Sequence, residues 1–450
     1  MPKDSSLEQF GYQQELKRSL SFWDLLIYGL VFMVPIAPFG IYGAVVTGSK
    51  GMVALAYLIG MVGMVFTALS YARMSEAFPI AGSVYAYAGK GINQFIGFIA
   101  GWAILLDYIL VPSLLYVVSA TALTGFIPGI PSWVWLLLFI AINTVVNYFG
   151  VEITAKFNKI ILIFELLVLA LFLIIGIWAV AQGVNGAEFS FRPLYNSDTF
   201  SFNVVMGAVS IAVLSFLGFD AISTLSEESK GGTKAVGRAT IYSLLIVGAL
   251  FMAQTWIAAL IYPNYENFEN LGTAFYQVAS IAGGDWLGVL TALATAIAWG
   301  IADALVAQAA ISRVLYSMAR DRKLPAFLSK VHPKYQTPYA STLLVAAVSV
   351  VLGLIFLKDI AILTSFVNFG ALTAFLFLHV SVFIHYMVKN KSHDFWNHLV
   401  LPLVGFLIIG YVWVSLAPQA KILGLSWLAV GVLIAIIFAV QKKDTSLDLD

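Results

Sequence analysis

The chain has 450 residues, 61% of them hydrophobic and 10% charged, with a mean hydropathy of +0.92. A soluble chain carries about a quarter charged residues, so this composition describes a polytopic membrane protein. The net charge of +1 gives no basis for a nucleic-acid or acidic partner, and the lack of cysteine excludes disulfides, thiol catalysis and thiolate metal sites.

Residues 1–21 are polar and mixed in charge. They lack the basic start, short apolar core and small-residue cleavage site of a signal peptide, so a cytoplasmic tail ahead of a retained first span is expected. A span needs about 20 apolar residues. That length predicts twelve spans, at 22–47, 52–75, 94–126, 132–150, 155–182, 203–226, 236–262, 286–319, 339–357, 360–388, 399–416 and 422–441. With both termini inside, only Lys50, Arg192, Lys358 and Lys421 of the 24 Lys and Arg fall outside. A split of that size fixes the orientation by the positive-inside rule.

The first span opens on Ser21 and Asp24, the spacing of a capping box, with Trp23 at the interface. Asp24 reads as a cap rather than a functional acid. In the middle of this span stands Val34-Pro35-Ile36-Ala37-Pro38-Phe39-Gly40. The two prolines remove two backbone donors, push Val34 and Ala37 out of the α region, and predict a broken helix. Broken backbone at membrane depth is tolerated where it is buried in protein or lines a cavity. A substrate site and a simple proline kink are the two readings of this stretch by itself.

Residues 76–93 are too apolar for a solvated loop and predict a segment packed on the protein. The span at 94–126 is longer than a bilayer requires and predicts a tilt. In the sixth span Phe216-Leu217-Gly218-Phe219-Asp220 is a second interruption, about 180 residues after the first. Interruptions at corresponding points of two halves point to inverted repeats around a midplane site. The boundaries are then a first repeat over 22–182, a second over 203–388, two further helices over 399–441, and a cytoplasmic tail over 442–450.

Several motifs carry a resemblance. Phe78-Pro79 through Tyr87, Gly218-Phe219-Asp220 followed by Glu227-Glu228, and Ser312-Arg313 through Arg320-Asp321-Arg322-Lys323-Leu324-Pro325 are similar to those of the amino acid–polyamine–organocation superfamily. Gly101-Trp102 with Leu106-Asp107-Tyr108, and Val367-Asn368-Phe369-Gly370-Ala371-Leu372, resemble its putrescine-importer-like branch. The resemblance covers about residues 15–440. It implies an all-α membrane protein of twelve helices, a five-plus-five inverted repeat of the LeuT-like kind, with helices 1 and 6 broken. It also implies secondary transport of amino acids or amines, with helices 3, 8 and 10 completing a site between the breaks.

A broken helix exposes carbonyls at one end and N–H groups at the other, each worth about half an elementary charge. Carbonyls around Phe32 to Ile36 and Leu214 to Leu217 suit an ammonium, and N–H groups around Phe39 to Ile41 suit a carboxylate. An amino acid uses both ends, whereas a diamine leaves the second unused. Ionisable residues inside a membrane are functional candidates by default. Asp107 and Tyr108 lie in the third span, Glu165 in the fifth, Asp220 in the sixth, Asp303 in the eighth and His379 in the tenth.

Each has a structural alternative. Asp220 can cap the second half-helix. Asp107 can pair with a neighbouring helix. Tyr108, about 100° around the helix from it, need not face the same ligand. Glu165 stands where proton-coupled relatives carry a lysine, which makes it the proton-coupling candidate against a structural hydrogen bond. Asp303, after Trp299-Gly300-Ile301-Ala302, can take a distal amine or pair with another polar side chain. His379 reads as a structural bond. Among Phe39, Phe216, Phe219, Trp299 and Phe369, Phe219 is the best candidate for a gate or cation-binding ring.

The substrate-binding set is thus Val34, Pro35, Ile36, Ala37, Phe39, Gly40, Asp107, Tyr108, Phe216, Gly218, Phe219, Asp220, Trp299 and Asp303. No cofactor or metal is expected. Late in the eighth span Ala307-Gln308-Ala309-Ala310 lacks the hydroxyls of sodium-coupled relatives, which favours a proton gradient. The expected partners are a small amine or amino acid and membrane lipid, in a monomer or homodimer of the plasma (bacterial inner) membrane. An exchanger is the alternative to an importer. A channel conflicts with the paired breaks, and an enzyme lacks HExxH, GxSxG or a zinc-ligand spacing among its five histidines.

Overall fold

The computed structural model describes residues 20–78, 83–149, 154–320, 324–335 and 337–440. Most of both predicted tails, Pro79–Gly82 of the predicted packed segment, and Asp321–Lys323 lie outside these. Among the described residues there are helices and turns, and one isolated bridge, Leu20 to Ser229, in place of a sheet.

The chain runs through α1 (Phe22–Met33), α2 (Pro38–Gly48), α3 (Val53–Ala77), α4 (Ser83–Gly91), α5 (Gln94–Thr124), α6 (Ser132–Phe149), α7 (Thr154–Ala181) and α8 (Phe202–Ala212). It continues through α9 (Gly232–Ile261), α10 (Ala274–Gly283), α11 (Asp285–Ile297), α12 (Ala304–Arg320), α13 (Tyr339–Ile355), α14 (Ile360–Phe383), α15 (Leu401–Val414) and α16 (Pro418–Val440). Nine helices among the described residues are long and apolar enough to cross a membrane, or ten if the bent pair α1–α2 is one span. Two shorter apolar helices, Phe202–Phe216 and Tyr339–Ile355, occupy the sixth and ninth predicted spans. Two helices lie between predicted spans: α4, within the predicted packed segment, and α10.

The capping box is present, with the Ser21 backbone N–H donating to Asp24 Oδ2 at 2.9 Å and the Asp24 N–H to Ser21 Oγ at 3.3 Å. The helix it starts stops at Met33. Val34 takes φ +47°, ψ 95°, a conformation that costs a β-branched residue on the order of 1–3 kcal/mol. The chain restarts at Pro38, bent by 59°. Proline is favourable there because the first helical turn does not need its N–H.

Ala37 departs from expectation. It stays in the right-handed α region, at φ −51°, ψ −39°. A proline only disfavours this conformation in the residue before it. The turn from Ile36 to Phe39, closed by the Phe39 N–H on the Ile36 carbonyl at 2.9 Å, holds Ala37 at its first central position and imposes it.

The second break is a different structure. A 3-10 turn ends α8 at Phe216, Leu217 is extended, Gly218 takes φ +104°, and a 3-10 segment runs over Phe219–Glu228. The two breaks touch: a Cβ on Gly218 would stand 2.9 Å from the Phe32 carbonyl oxygen.

Buried backbone at the first break is completed from α9. Gln254, fully buried, donates to the Pro35 carbonyl at 3.0 Å. Gln254→Leu is therefore expected to lower stability by about 1–3 kcal/mol, the cost of a buried polar group left unmade. Thermal unfolding in detergent measures it, and an unchanged midpoint would show that the carbonyl finds another donor.

Candidate substrate site at two broken helices

Both half-helices restart on backbone N–H groups that the chain itself uses. Phe39 donates to the Ile36 carbonyl at 2.9 Å and Gly40 to the Ala37 carbonyl at 3.3 Å, while Pro35 and Pro38 have no N–H. At the second break Ala221 donates to the Gly218 carbonyl at 3.1 Å. The Asp220 carboxylate lies beside the backbone at the start of this segment, Gly218 to Ala221. The predicted carboxylate seat at Phe39 and Gly40 is thus occupied internally. The reason is that the break closes as tight turns rather than as a splayed gap. Asp220 stands in the first turn of its half-helix, whose cap position is Gly218, where an acid suits the exposed N–H groups.

Around Asp220 the fold gathers residues from four elements. The Tyr71 hydroxyl of α3 donates to Asp220 Oδ2 at 3.5 Å and lies 3.2 Å from Ser83 Oγ at the start of α4. Both Asp107 and Tyr108 of α5 lie within the electrostatic reach of Asp220. Asp107 is 5% exposed, and its Oδ1 has no hydrogen-bond partner. It is held in place by Gly370 of α14, where a Cβ would stand 2.8 Å from the Asp107 backbone nitrogen. Phe219 packs between Tyr71 and Phe375, with ring centroids 5.8 and 5.6 Å away, so its ring forms one wall of this acidic cluster.

Glu165 and Asp303 stand elsewhere. Asp303 ends a π-helical stretch, Ala298–Asp303, on which α7, the helix of Glu165, packs. Gly300 of the same stretch packs on Ser119 of α5. Helices α5 and α12 run antiparallel, since Phe98 and Trp102 cluster with Leu315 and Met318. Asp107 to Ser119 is roughly 18 Å of helix, and Asp303 lies about one turn back towards Asp107, which leaves roughly 13 Å between Asp107 and Asp303 along α5. The acids expected at one midplane site therefore stand at more than one depth.

Trp299 is 3% exposed, with its Nε1 unpartnered, and its ring faces Gly40. Val34, Pro35, Ile36, Ala37 and Phe39 are buried at the first break. The Phe39 ring stacks on Phe275 of α10 at 3.9 Å and packs edge-on to Phe172 of α7 at 6.0 Å. That stack covers the break on the α10 side. Phe216 points away, onto Tyr57 and Phe251 and against Gly60, and Phe369 faces Trp413 and Gly424. Both are packing residues of helix contacts outside the acidic clusters.

Tyr71, Ser83 and Phe275 escape a reading by sequence, since a tyrosine, a serine or a phenylalanine is ordinary in such helices. Gln254 carries a signal: it is a lone amide amid Phe251-Met252-Ala253 and Thr255-Trp256.

His379 is structural. Its Nδ1 lies 2.9 Å from Ser70 Oγ and its Nε2 3.3 Å from Thr67 Oγ1, and Gly405 leaves room for the ring. His379→Leu is expected to lower stability by about 1–3 kcal/mol, as the Ser70 hydroxyl loses its partner, and to leave the pH dependence of uptake unchanged. A shifted pH profile in proteoliposomes would instead make this ring a proton carrier.

A family model described as amino acid permease matches residues 20–440. The low-affinity putrescine importer PlaP of Escherichia coli (strain K12) is 32% identical over 425 residues, 93% of each chain. The branched-chain amino acid permease BcaP of Bacillus subtilis (strain 168) is 28% identical over 97% of this chain and 96% of its own. The cationic amino acid transporter 4 of Mus musculus is 25% identical over 84% of this chain and 61% of its own.

Proposed function

This chain belongs to the amino acid permease family, and from that premise we propose that it is a secondary transporter importing an organic amine, with putrescine as the reference substrate, by alternating access around the two breaks. The observation that carries the reading is the charge inventory of the site. Among the described residues no buried lysine or arginine balances buried Asp107 and Asp220, and the N–H groups of Phe39, Gly40 and Ala221 are already bonded within the chain. A buried anionic site of this kind is costly unless a cation enters it.

In this mechanism an ammonium group of the substrate donates to the Asp107 carboxylate, its main counter-ion. The Tyr71 and Tyr108 hydroxyls and the Phe219 face complete its shell. Asp220 contributes charge at a distance while it holds the second half-helix together. Rocking one group of helices against the other then opens the site to alternate sides. The driving force in this reading is a proton gradient rather than sodium. Gln308, in the stretch where sodium-coupled relatives carry hydroxyls, is bonded to Asn147 and Thr144. The membrane is the plasma membrane, with the Lys- and Arg-rich face inside.

Purified protein in proteoliposomes, offered putrescine and a panel of neutral and basic amino acids, tests this. Saturable putrescine uptake that neutral amino acids do not inhibit is expected, together with a putrescine-dependent rise in melting temperature. Uptake of a branched-chain amino acid with no response to amines would overturn the amine reading and leave the amino acid one.

A further inference from the structure

The start of α1 lies against the start of α9, and basic and aromatic side chains meet there. The Lys230 backbone N–H donates to the Leu20 carbonyl at 2.9 Å, which fixes the chain ahead of α9 beside the chain ahead of α1. The guanidinium carbon of Arg238 lies 5.7 Å from the centre of the Phe22 ring. That ring packs edge-on to Tyr242 at 6.1 Å and to Trp23 at 5.4 Å. Deeper along the same contact, Gly29 of α1 admits α9 closely, since a Cβ there would stand 2.7 Å from Ser243 Oγ. Lys230, Lys234 and Arg238 are exposed, and among the described residues the ion pair joins Arg73 to Glu76 instead. Asp24, the acid in the first turn of α1, is turned back onto Ser21.

Helix α9 orders its groups by depth. Lys234, Arg238, Tyr242 and Ile246 follow one another at four-residue spacing, so they share one face. All are exposed, as is Leu245 beside Ile246. The apolar span of this helix begins at Lys234. Tyr242 stands roughly 6 Å deeper than Arg238, and Ile246 roughly 12 Å deeper. From the membrane boundary inward, the face therefore offers two cations, an interfacial aromatic ring and aliphatic side chains. A phospholipid with an anionic headgroup has the complementary order: phosphate, ester region, acyl chain. Guanidinium suits phosphate oxygens, and basic pockets between membrane helices take anionic headgroups. The positive-inside rule accounts for lysine and arginine on one side of a membrane. It does not call for their alignment with an aromatic and an aliphatic residue, or for a guanidinium resting on the ring of a second helix.

We propose that the α1–α9 surface at Lys234, Arg238, Phe22 and Tyr242 binds one anionic phospholipid, with its phosphate on the two cations and its chains along Leu245 and Ile246. A phosphate there keeps Arg238 over Phe22 and ties the start of α1 to α9. The site is separate from the acidic cluster, and its occupancy does not depend on what the protein transports.

Native mass spectrometry of the full chain, released from detergent containing dioleoyl phosphatidylglycerol or dioleoyl phosphatidylcholine at equal concentration, tests this without substrate. One phosphatidylglycerol is expected to bind ahead of further copies and ahead of phosphatidylcholine. A basic side chain at a lipid surface is worth about fivefold in affinity, so Lys234→Gln with Arg238→Gln should weaken this first binding by roughly 25-fold. Lys330→Gln with Lys334→Gln, at two exposed lysines elsewhere, is the charge-matched control and should bind as the wild type does. Equal losses in the two double variants, or equal binding of the two lipids, would overturn the site. Free glycerol phosphate should not displace the lipid, and displacement would overturn the lipid assignment in favour of a small anion. Thermal unfolding in phosphatidylcholine vesicles reports whether the variants fold. If the double variant does not, Lys234→Gln alone decides the matter: binding about fivefold weaker supports the site, and unchanged binding overturns it.

Discussion

Asp107→Asn is expected to reduce putrescine uptake by roughly 10- to 100-fold in kcat/KM, the loss of one hydrogen bond to a charged group, about 1.5–3 kcal/mol. The effect comes from burial without a partner. Asp107 is 5% exposed, its Oδ1 is unbonded, and its neighbouring charge is another acid, Asp220. A group in that position has no structural bond to lose, so its amide is expected to fold as well as the wild type. Removing an uncompensated buried acid should even raise the melting temperature slightly. Loss of uptake combined with retained or increased stability is therefore the diagnostic result, read by initial-rate uptake and thermal unfolding on the same preparation. Uptake within twofold of the wild type would remove Asp107 from the site. Asp220→Asn is a less informative variant, because that carboxylate also holds the start of the Phe219–Glu228 segment.

The second large effect is expected at Gly218. Alanine there should abolish uptake and destabilise the protein by about 2–5 kcal/mol, the sum of a strained left-handed residue and overpacking against a rigid neighbour. Gly218 has φ +104°, and its Cβ would meet the oxygen, carbonyl carbon and Cβ of Phe32 at 2.9, 3.2 and 3.2 Å. Two of those three atoms are backbone of the other broken helix, which cannot turn aside as a long side chain would. The two breaks would have to separate, and the acidic cluster at Asp220 would open with them. Gly207 of α8 is the internal control. Nothing lies within 4 Å of a Cβ there and its φ is ordinary, so Gly207→Ala should be neutral or stabilising by about 0.5–1 kcal/mol, as in any helix interior. Equal effects of the two substitutions on melting temperature would overturn the argument from contact between the breaks.

The interruption at Val34–Gly40 was legible because proline acts locally: it removes a donor and blocks a turn wherever it stands. Gly218 was legible for the related reason that a glycine beside an acid in an apolar span has few local uses. The direction of the side chains was not legible. Phe216 and Phe219 are three residues apart and equally apolar, yet one packs on α3 and α9 and the other against Tyr71 and Phe375. The difference comes from the extended Leu217 and the left-handed Gly218 between them, dihedrals that periodicity does not give. Likewise the N–H groups at Phe39 and Gly40 are free in a schematic broken helix and bonded in this one, because the break folds into successive tight turns.

By itself, the sequence determined that this is a helical membrane protein with two interrupted spans and a few intramembrane acids. Hydrophobicity, proline chemistry and the cost of burying charge are properties of residues and short segments, and they act before any long-range contact forms. The tertiary structure alone decided how those acids are distributed. Asp107 falls within the electrostatic reach of Asp220, and Asp303 stands at a different depth, through the antiparallel course of α5 and α12 and the π turn at Ala298–Asp303. Depth along a helix and direction around it depend on which neighbours pack where, and that information is spread over the whole chain.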